Sequence, residues 1–140
     1  MMSALRAVLA AILLSLSPAM APGAVADDAA DIQAVIQRQL DAFRADDWDG
    51  AFDYASPGIQ SLFRTPEGFG RMVRGGYPMV WRPSRVEVGE LEDGPAGPVQ
   101  IMHFYDDGGA HYVAAYSMTR VDGAWRIDGV RIRKVQEATA

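Results

Sequence analysis

The stretch Val121-Asp122-Gly123-Ala124-Trp125-Arg126-Ile127-Asp128-Gly129-Val130-Arg131-Ile132 decides the fold. Asp-Gly between two alternating apolar/polar runs is a strong hairpin signal, because a two-residue type I′ turn needs positive φ at both central residues. A turn at Asp122-Gly123 pairs Val121 with Ala124, Arg120 with Trp125 and Met118 with Ile127. Beyond Ile127, strict alternation selects Gly129 and Arg131, yet the apolar residues are Val130 and Ile132. A β-bulge at Asp128-Gly129 returns both to the inner face and bends the strand. The last strand therefore runs from Ala124 to Val135, against a third strand from Ala110 to Val121.

Further upstream, Asp106-Asp107-Gly108-Gly109 joins a second strand, Val99 to Tyr105, to the third. Closing this hairpin with Tyr105 opposite Ala110 pairs His103 with Tyr112, Ile101 with Ala114 and Val99 with Tyr116. The inner face then carries Val99, Ile101, His103, Tyr112, Ala114, Tyr116, Met118, Trp125 and Ile127. The outer face carries Met102, Phe104, Val113 and Ala115, apolar in adjacent strands. A contiguous apolar patch on a small domain marks a partner surface, so these four residues are the expected homodimer interface. A first strand begins near Pro83 with Val86, Val88 and Glu90 on one face, and Asp93-Gly94-Pro95-Ala96-Gly97-Pro98 turns it into the second.

Before residue 83 the period is helical. Ile32, Val35, Ile36, Leu40 and Phe43 recur at three- and four-residue spacing from Asp28 onward. Asp27, Asp28 and Asp31 are expected at the positive end of that helix. Asp46-Asp47-Trp48-Asp49-Gly50 breaks it, and Trp48, Ala51, Phe52 and Ala55 suggest a short second helix ended by Ser56-Pro57-Gly58. Thr65-Pro66-Glu67 opens a third, with a hydroxyl cap followed by proline where no N–H is missed, and Gly75-Gly76 closes it. Helices followed by an antiparallel meander give an α+β domain, its helices packed on one face of a curved four-stranded sheet.

The chain has 140 residues, no cysteine, and 13 basic against 18 acidic residues, a formal charge of −5. One small domain is what this length allows. An acidic chain lacks the basic footprint that phosphate neutralisation requires, so nucleic acid is not an expected partner. Residues 1–26 read as a signal peptide: Arg6, then an apolar run from Ala7 to Leu16 too short to span a bilayer, then Ala24-Val25-Ala26. The competing site Ala19-Met20-Ala21 would leave Pro22 directly after the cut, a poor substrate backbone. Cleavage is therefore expected after Ala26, residues 27–140 form the single domain, and the expected address is the periplasm. No later stretch reaches the apolar length of a membrane span.

The helices, the curved sheet, the opening Asp47-Trp48-Asp49-Gly50-Ala51-Phe52 and the closing Asp122–Val130 run resemble the nuclear transport factor 2-like, cystatin-like superfamily of α+β cones. More narrowly, from about Asp31 to Val135 the chain resembles the secreted bacterial family known as domain of unknown function 4864, through Tyr77-Pro78, Tyr116 and the Trp125–Val130 run. The resemblance implies a cone between helices and sheet, and sheet-to-sheet dimers are common in that superfamily. It implies no catalytic residue here, because the shared motifs are structural, and relatives include isomerases, dehydratases, ligand binders and interaction domains.

An isomerase-type site would need a carboxylate base facing a tyrosine or a protonated acid. The inner face offers His103, Tyr112 and Tyr116 but no mid-strand carboxylate; Asp128 at the bulge and Asp49 and Asp53 on the second helix are the nearest acids. These three inner residues are the expected ligand contacts, or else core aromatics and a core histidine. Arg71 and Arg74 belong to a basic stretch, residues 56–85, that follows an acidic one, residues 27–55. They could hold a ligand carboxylate at the cone mouth with their planar forks, or the stretch could pair with the acidic helices. Two histidines and no cysteine make a poor metal set, and Asp47-x-Asp49-Gly50 lacks the first and last ligands of a calcium loop. No metal or cofactor is expected. The sequence thus leads to an exported, non-catalytic domain binding a small ligand or partner protein. An isomerase or dehydratase using the cone is the rival, and a structural dimer with a filled core the third reading.

Overall fold

The computed structural model describes residues 22–136. The expected signal peptide therefore lies largely outside the described residues. Five helices precede four strands: α1 Pro22–Arg44, α2 Trp48–Asp53, α3 Pro57–Phe63, α4 Pro66–Gly76 and α5 Pro78–Trp81, then β1 Arg85–Gly94, β2 Gly97–Tyr105, β3 His111–Val121 and β4 Ala124–Lys134. The strands form one antiparallel sheet in the order β1-β2-β3-β4. This is the α+β meander expected from the change of period.

The apolar stripe of α1 is the expected one. Ile32, Val35, Ile36, Leu40 and Phe43 are all buried, joined by Gln39. In the full chain the helix starts at Pro22, so Asp27, Asp28 and Asp31 lie beyond its first turn; cleavage after Ala26 would bring Asp27 and Asp28 to its positive end. Asp28 pairs with Arg120, whose guanidinium lies over the Trp125 ring, 4.5 Å from its centroid. That chain of contacts fastens α1 to the β3–β4 hairpin, and Trp125 is half-buried beneath it.

A short helix, α3, arises where only a chain break was expected. Ser56-Pro57-Gly58 does not merely end α2; Ser56 caps α3 by accepting a hydrogen bond from Ile59 N, with proline at the first helical position. Thr65-Pro66 does the same for α4, its hydroxyl accepting from Gly68 N at 3.0 Å. Between α2 and α3 the chain runs beside β4: Ile127 N donates to Tyr54 O and Ser56 N to Ile127 O, both at 2.8 Å. The helical half is thus hydrogen-bonded to the sheet as well as packed on it. Helix α4 approaches Trp48 at Gly70, where a Cβ would come within 2.7 Å of the indole; only glycine lets these elements meet so closely. At α5, Trp81 and Arg82 both donate to Asp46, so this part of the basic stretch does pair with an acid of the α1–α2 corner.

The β3–β4 hairpin has the expected register. Arg120 faces Trp125, Met118 faces Ile127, and the shift at Ser117/Met118 places the bulge at Asp128, after which Val130 faces Tyr116 and Ile132 faces Ala114. Asp122 and Gly123 have φ of 52° and 80°, as a type I′ turn requires.

The β2–β3 hairpin differs by one residue. Tyr105 faces His111, not Ala110; Phe104 faces Tyr112, Met102 faces Ala114 and Gln100 faces Tyr116. Asp106 is the cause. Its backbone N–H donates to Ala110 O at 3.1 Å and its carboxylate accepts from Ala110 N at 2.9 Å. The loop therefore closes on Asp106 and Ala110, and pairing begins one residue later. A slip of one residue moves every side chain of β2 to the other face. Met102 and Phe104, expected outside at a dimer interface, are core residues with 2% and 0% of their surface exposed. Val99, Ile101 and His103, expected inside, point outward. A second bulge between Val88 and Leu91 moves Glu90 off the Val86–Val88 face and brings Leu91 opposite Gln100.

Candidate functional site

The inner face of the sheet supplies one wall of an apolar cleft of about 320 Å³. Tyr116 from β3 and Ile127, Val130 and Ile132 from β4 make the floor. Ile59, Leu62 and Phe63 of α3, Phe69, Met72 and Val73 of α4, then Tyr77 and Val80, make the facing wall. The β4 bulge shapes this floor, because without the extra residue Val130 and Ile132 would face away. Leu62 and Tyr77 are exposed, with 71% and 37% of their surface open to solvent. Two large apolar side chains are thus left uncovered beside the cleft.

Few polar groups line it. Gln39 is buried and its amide nitrogen donates to Ala51 O at 3.1 Å, which leaves its carbonyl oxygen for other partners. Asp128 contributes the carboxylate, exposed at the bulge. The Tyr116 hydroxyl is buried with no hydrogen-bond partner, and burial pushes its phenol well above the usual tyrosine range. It is therefore a neutral donor at any physiological pH. Gln100, directly across the strand pair from Tyr116, gives its amide to the carbonyls of Gly89, Glu90 and Ile101, and its own oxygen is likewise buried without a partner. Two unpartnered polar atoms on facing core residues are uncommon, since each forfeits roughly 1–3 kcal/mol of hydration.

The residues singled out from sequence do not all converge here. Tyr116 lines the cleft. Tyr112 is on the inner face, half-buried, with its hydroxyl reaching Asp106 at 3.5 Å. His103 is on the outer face, where its Nδ1 lies 2.8 Å from Nε2 of His111; the same slip that buries Phe104 removes His103 from the core. Arg71 and Arg74 are exposed on α4 and neither lines the cleft. Arg74 stacks over Trp48 at 5.1 Å. Asp49 and Asp53 are exposed on α2 and also lie off it. Of the four expected interface residues, Val113 and Ala115 remain on the outer face and Met102 and Phe104 do not. Sequence reasoning missed the α3 residues, although Ser56-Pro57 carries the same helix-start signal as Thr65-Pro66. It missed Gln39 as well, a glutamine within an apolar stripe.

Among the described residues, no group of three or more histidine or acidic side chains is placed to hold a metal ion. No described helix is long and apolar enough to cross a membrane. No curated protein matches the sequence. A family profile does, over residues 25–140, which takes in the whole sheet and all the helices but the first residues of α1. The chain belongs to the family described as Domain of unknown function (DUF4864).

Proposed function

We propose that this chain is an exported, non-catalytic domain that binds a small, mainly apolar molecule in the cleft between α3, α4 and the inner sheet face. The observation that carries the reading is the cleft wall itself: a nearly continuous apolar lining with one buried, unpartnered phenol in it. Small-molecule sites have this composition, apolar walls with a few placed polar groups. On binding, the side chains over the Tyr116 hydroxyl move aside so that it donates to a carbonyl or ether oxygen of the occupant, and Gln39 offers an acceptor. Asp128 at the bulge disfavours a carboxylate there, and no arginine of α4 is in the cleft to compensate it. The occupant is therefore neutral or cationic, a narrower class than the arginine-rich stretch suggests.

The enzyme reading asks a carboxylate and a phenol to act on one reacting atom. Here the carboxylate of Asp128 stands in solvent and the Tyr116 hydroxyl is sealed from it, which favours binding over turnover. Export is supported by the apolar run Ala7–Leu16 and the Ala24-Val25-Ala26 site. The order of helices before a bulged antiparallel meander supports kinship with nuclear transport factor 2-like cones. A homodimer on the opposite sheet face would leave the cleft open.

Native mass spectrometry of the protein recovered from an exporting bacterium tests both parts. The mature mass should begin at Asp27, and a bound small molecule should appear with wild type and vanish with Ile59→Trp, which fills the cleft. Protein retaining Met1 would contradict export; an adduct that survives Ile59→Trp would place the ligand elsewhere.

A further inference from the structure

The chain has two histidines, His103 and His111, and the fold brings them together. The pairing expected from sequence puts one on each face of the sheet. The one-residue slip set by Asp106 turns His103 outward, to the face that His111 occupies. The two then sit diagonally across β2 and β3, since His103 faces Val113 and His111 faces Tyr105. Their rings meet nitrogen to nitrogen, His103 Nδ1 lying 2.8 Å from His111 Nε2, so one imidazole donates and the other accepts. Both rings are held in place. His111 stacks on Tyr105, with 4.6 Å between centroids and 10° between planes, and the Arg85 guanidinium lies 3.9 Å from the centroid of the Tyr105 ring. His103 lies against Gly89, where a Cβ would come within 3.1 Å of its Nε2. Each histidine is half-buried, and His103 opens into a trough on the outer face.

We infer that His103 and His111 together bind a divalent transition-metal ion, Cu2+ above the others. Imidazole nitrogen suits copper, nickel and zinc, and a given donor set generally holds Cu2+ most tightly of the three. An ion held by both nitrogens at about 2.0 Å with a tetrahedral angle sets them roughly 3.3 Å apart. That is a small opening from 2.8 Å, which a tilt of each ring supplies. The proton between the rings moves to the far nitrogen of its own ring, so both near nitrogens present lone pairs to the ion. The chain gives two ligands and water completes the shell. Glu87, opposite His103 on β1, is already held by Arg85 at 2.5 Å and by the Tyr105 hydroxyl at 3.3 Å. It adds negative charge beside the pair without joining it. An ion here ties β2 to β3 in the register that Asp106 sets, because in the other register the histidines part to opposite faces.

The inference is independent of the cleft, which lies on the other side of the sheet. Cu2+ titrated into metal-free exported protein tests it. Wild type should take up one equivalent, and the electron paramagnetic resonance spectrum should show two coordinated imidazole nitrogens. Cu2+ should bind more tightly than Zn2+, and affinity should fall as pH is lowered, because protons compete for the same lone pairs. His103→Phe and His111→Phe, with folding followed by circular dichroism, should each weaken binding by more than about tenfold, a loss that even the removal of an outer-shell partner can bring. Both variants keep the N-terminus and every carboxylate, so uptake elsewhere on the chain is common to all three proteins. A wild-type spectrum with one nitrogen or none overturns the inference whatever the variants do. So does binding no tighter than that of imidazole free in solution, or a wild-type affinity retained by either variant.

Discussion

The two faces of the sheet are made by alternate residues of the same strands and have opposite character. Inside, Met102, Phe104, Ala114, Tyr116, Met118 and Ile127 are each at most 2% exposed and packed under five helices. Outside, Ile101, Val113 and Ala115 are only half-buried, and charged rims flank them. The inner face holds the fold together by removing apolar surface from water. The outer face, only half-buried, contributes less to a single chain's stability. Within the inner face, the cleft beside Tyr116 is where packing stops short, and the missing hydrogen-bond partner there marks the same place.

The contrast is broken most directly by truncation. Phe104→Ala should cost about 3–5 kcal/mol in denaturant unfolding, a large part of a small domain's stability. Val113→Thr, on the other face, should change it by less than about 0.5 kcal/mol at concentrations where the chain is monomeric. Comparable losses would mean that β2 and β3 do not pair as described. Gly70→Ala comes next. The added methyl has the Trp48 indole 2.7 Å away, so α4 must move off α2, at roughly 1–3 kcal/mol. The displacement should show in the fluorescence of Trp48, read with Trp81 and Trp125 replaced by phenylalanine. Asp106→Ala removes the acceptor for Ala110 N and should cost about 1 kcal/mol, with slowed amide exchange at Ala110 lost.

Tyr116→Phe should bring no loss of stability at neutral pH. Its hydroxyl has no partner to lose, so neutral-pH stability should hold or rise by up to about 1 kcal/mol, while ligand retention falls. The alkaline limb should also change. Burial raises the Tyr116 phenol, so the folded chain keeps a proton that the unfolded chain releases. Wild type is fully stabilised below the ordinary tyrosine range and loses stability as pH rises through it. Tyr116→Phe should lose less over that window, and equal losses would deny that the phenol is buried.

How far the sequence could be read follows from which turns are short. Asp122-Gly123 leaves a hairpin no freedom of register, and the displaced pair Val130 and Ile132 could only be explained by a bulge. Asp106-Asp107-Gly108-Gly109 is longer, and whether Tyr105 or Asp106 closes it depends on the Asp106 side chain, which no alternation of apolar residues reveals. That one residue decides whether Phe104 or His103 is inside. The β1 bulge hides in the same way, since Glu90 continues the alternation that Gly89 interrupts. Ser56-Pro57 carried the signal for α3, but its glycine neighbour also suits a chain break. The cleft was legible only through Tyr116. Its other wall depends on α3, and one of its few polar groups is Gln39 of α1, a glutamine that looks like a defect in an apolar stripe.

If the space beside Tyr116 is a binding site, a crystal structure of protein isolated from its exporting host should show continuous density for a compact molecule between α3 and β4, with an oxygen within hydrogen-bonding distance of the Tyr116 hydroxyl. A cleft closed by inward rotation of Leu62 and Met72, with the hydroxyl bonded to Gln100 and no space left, would contradict it.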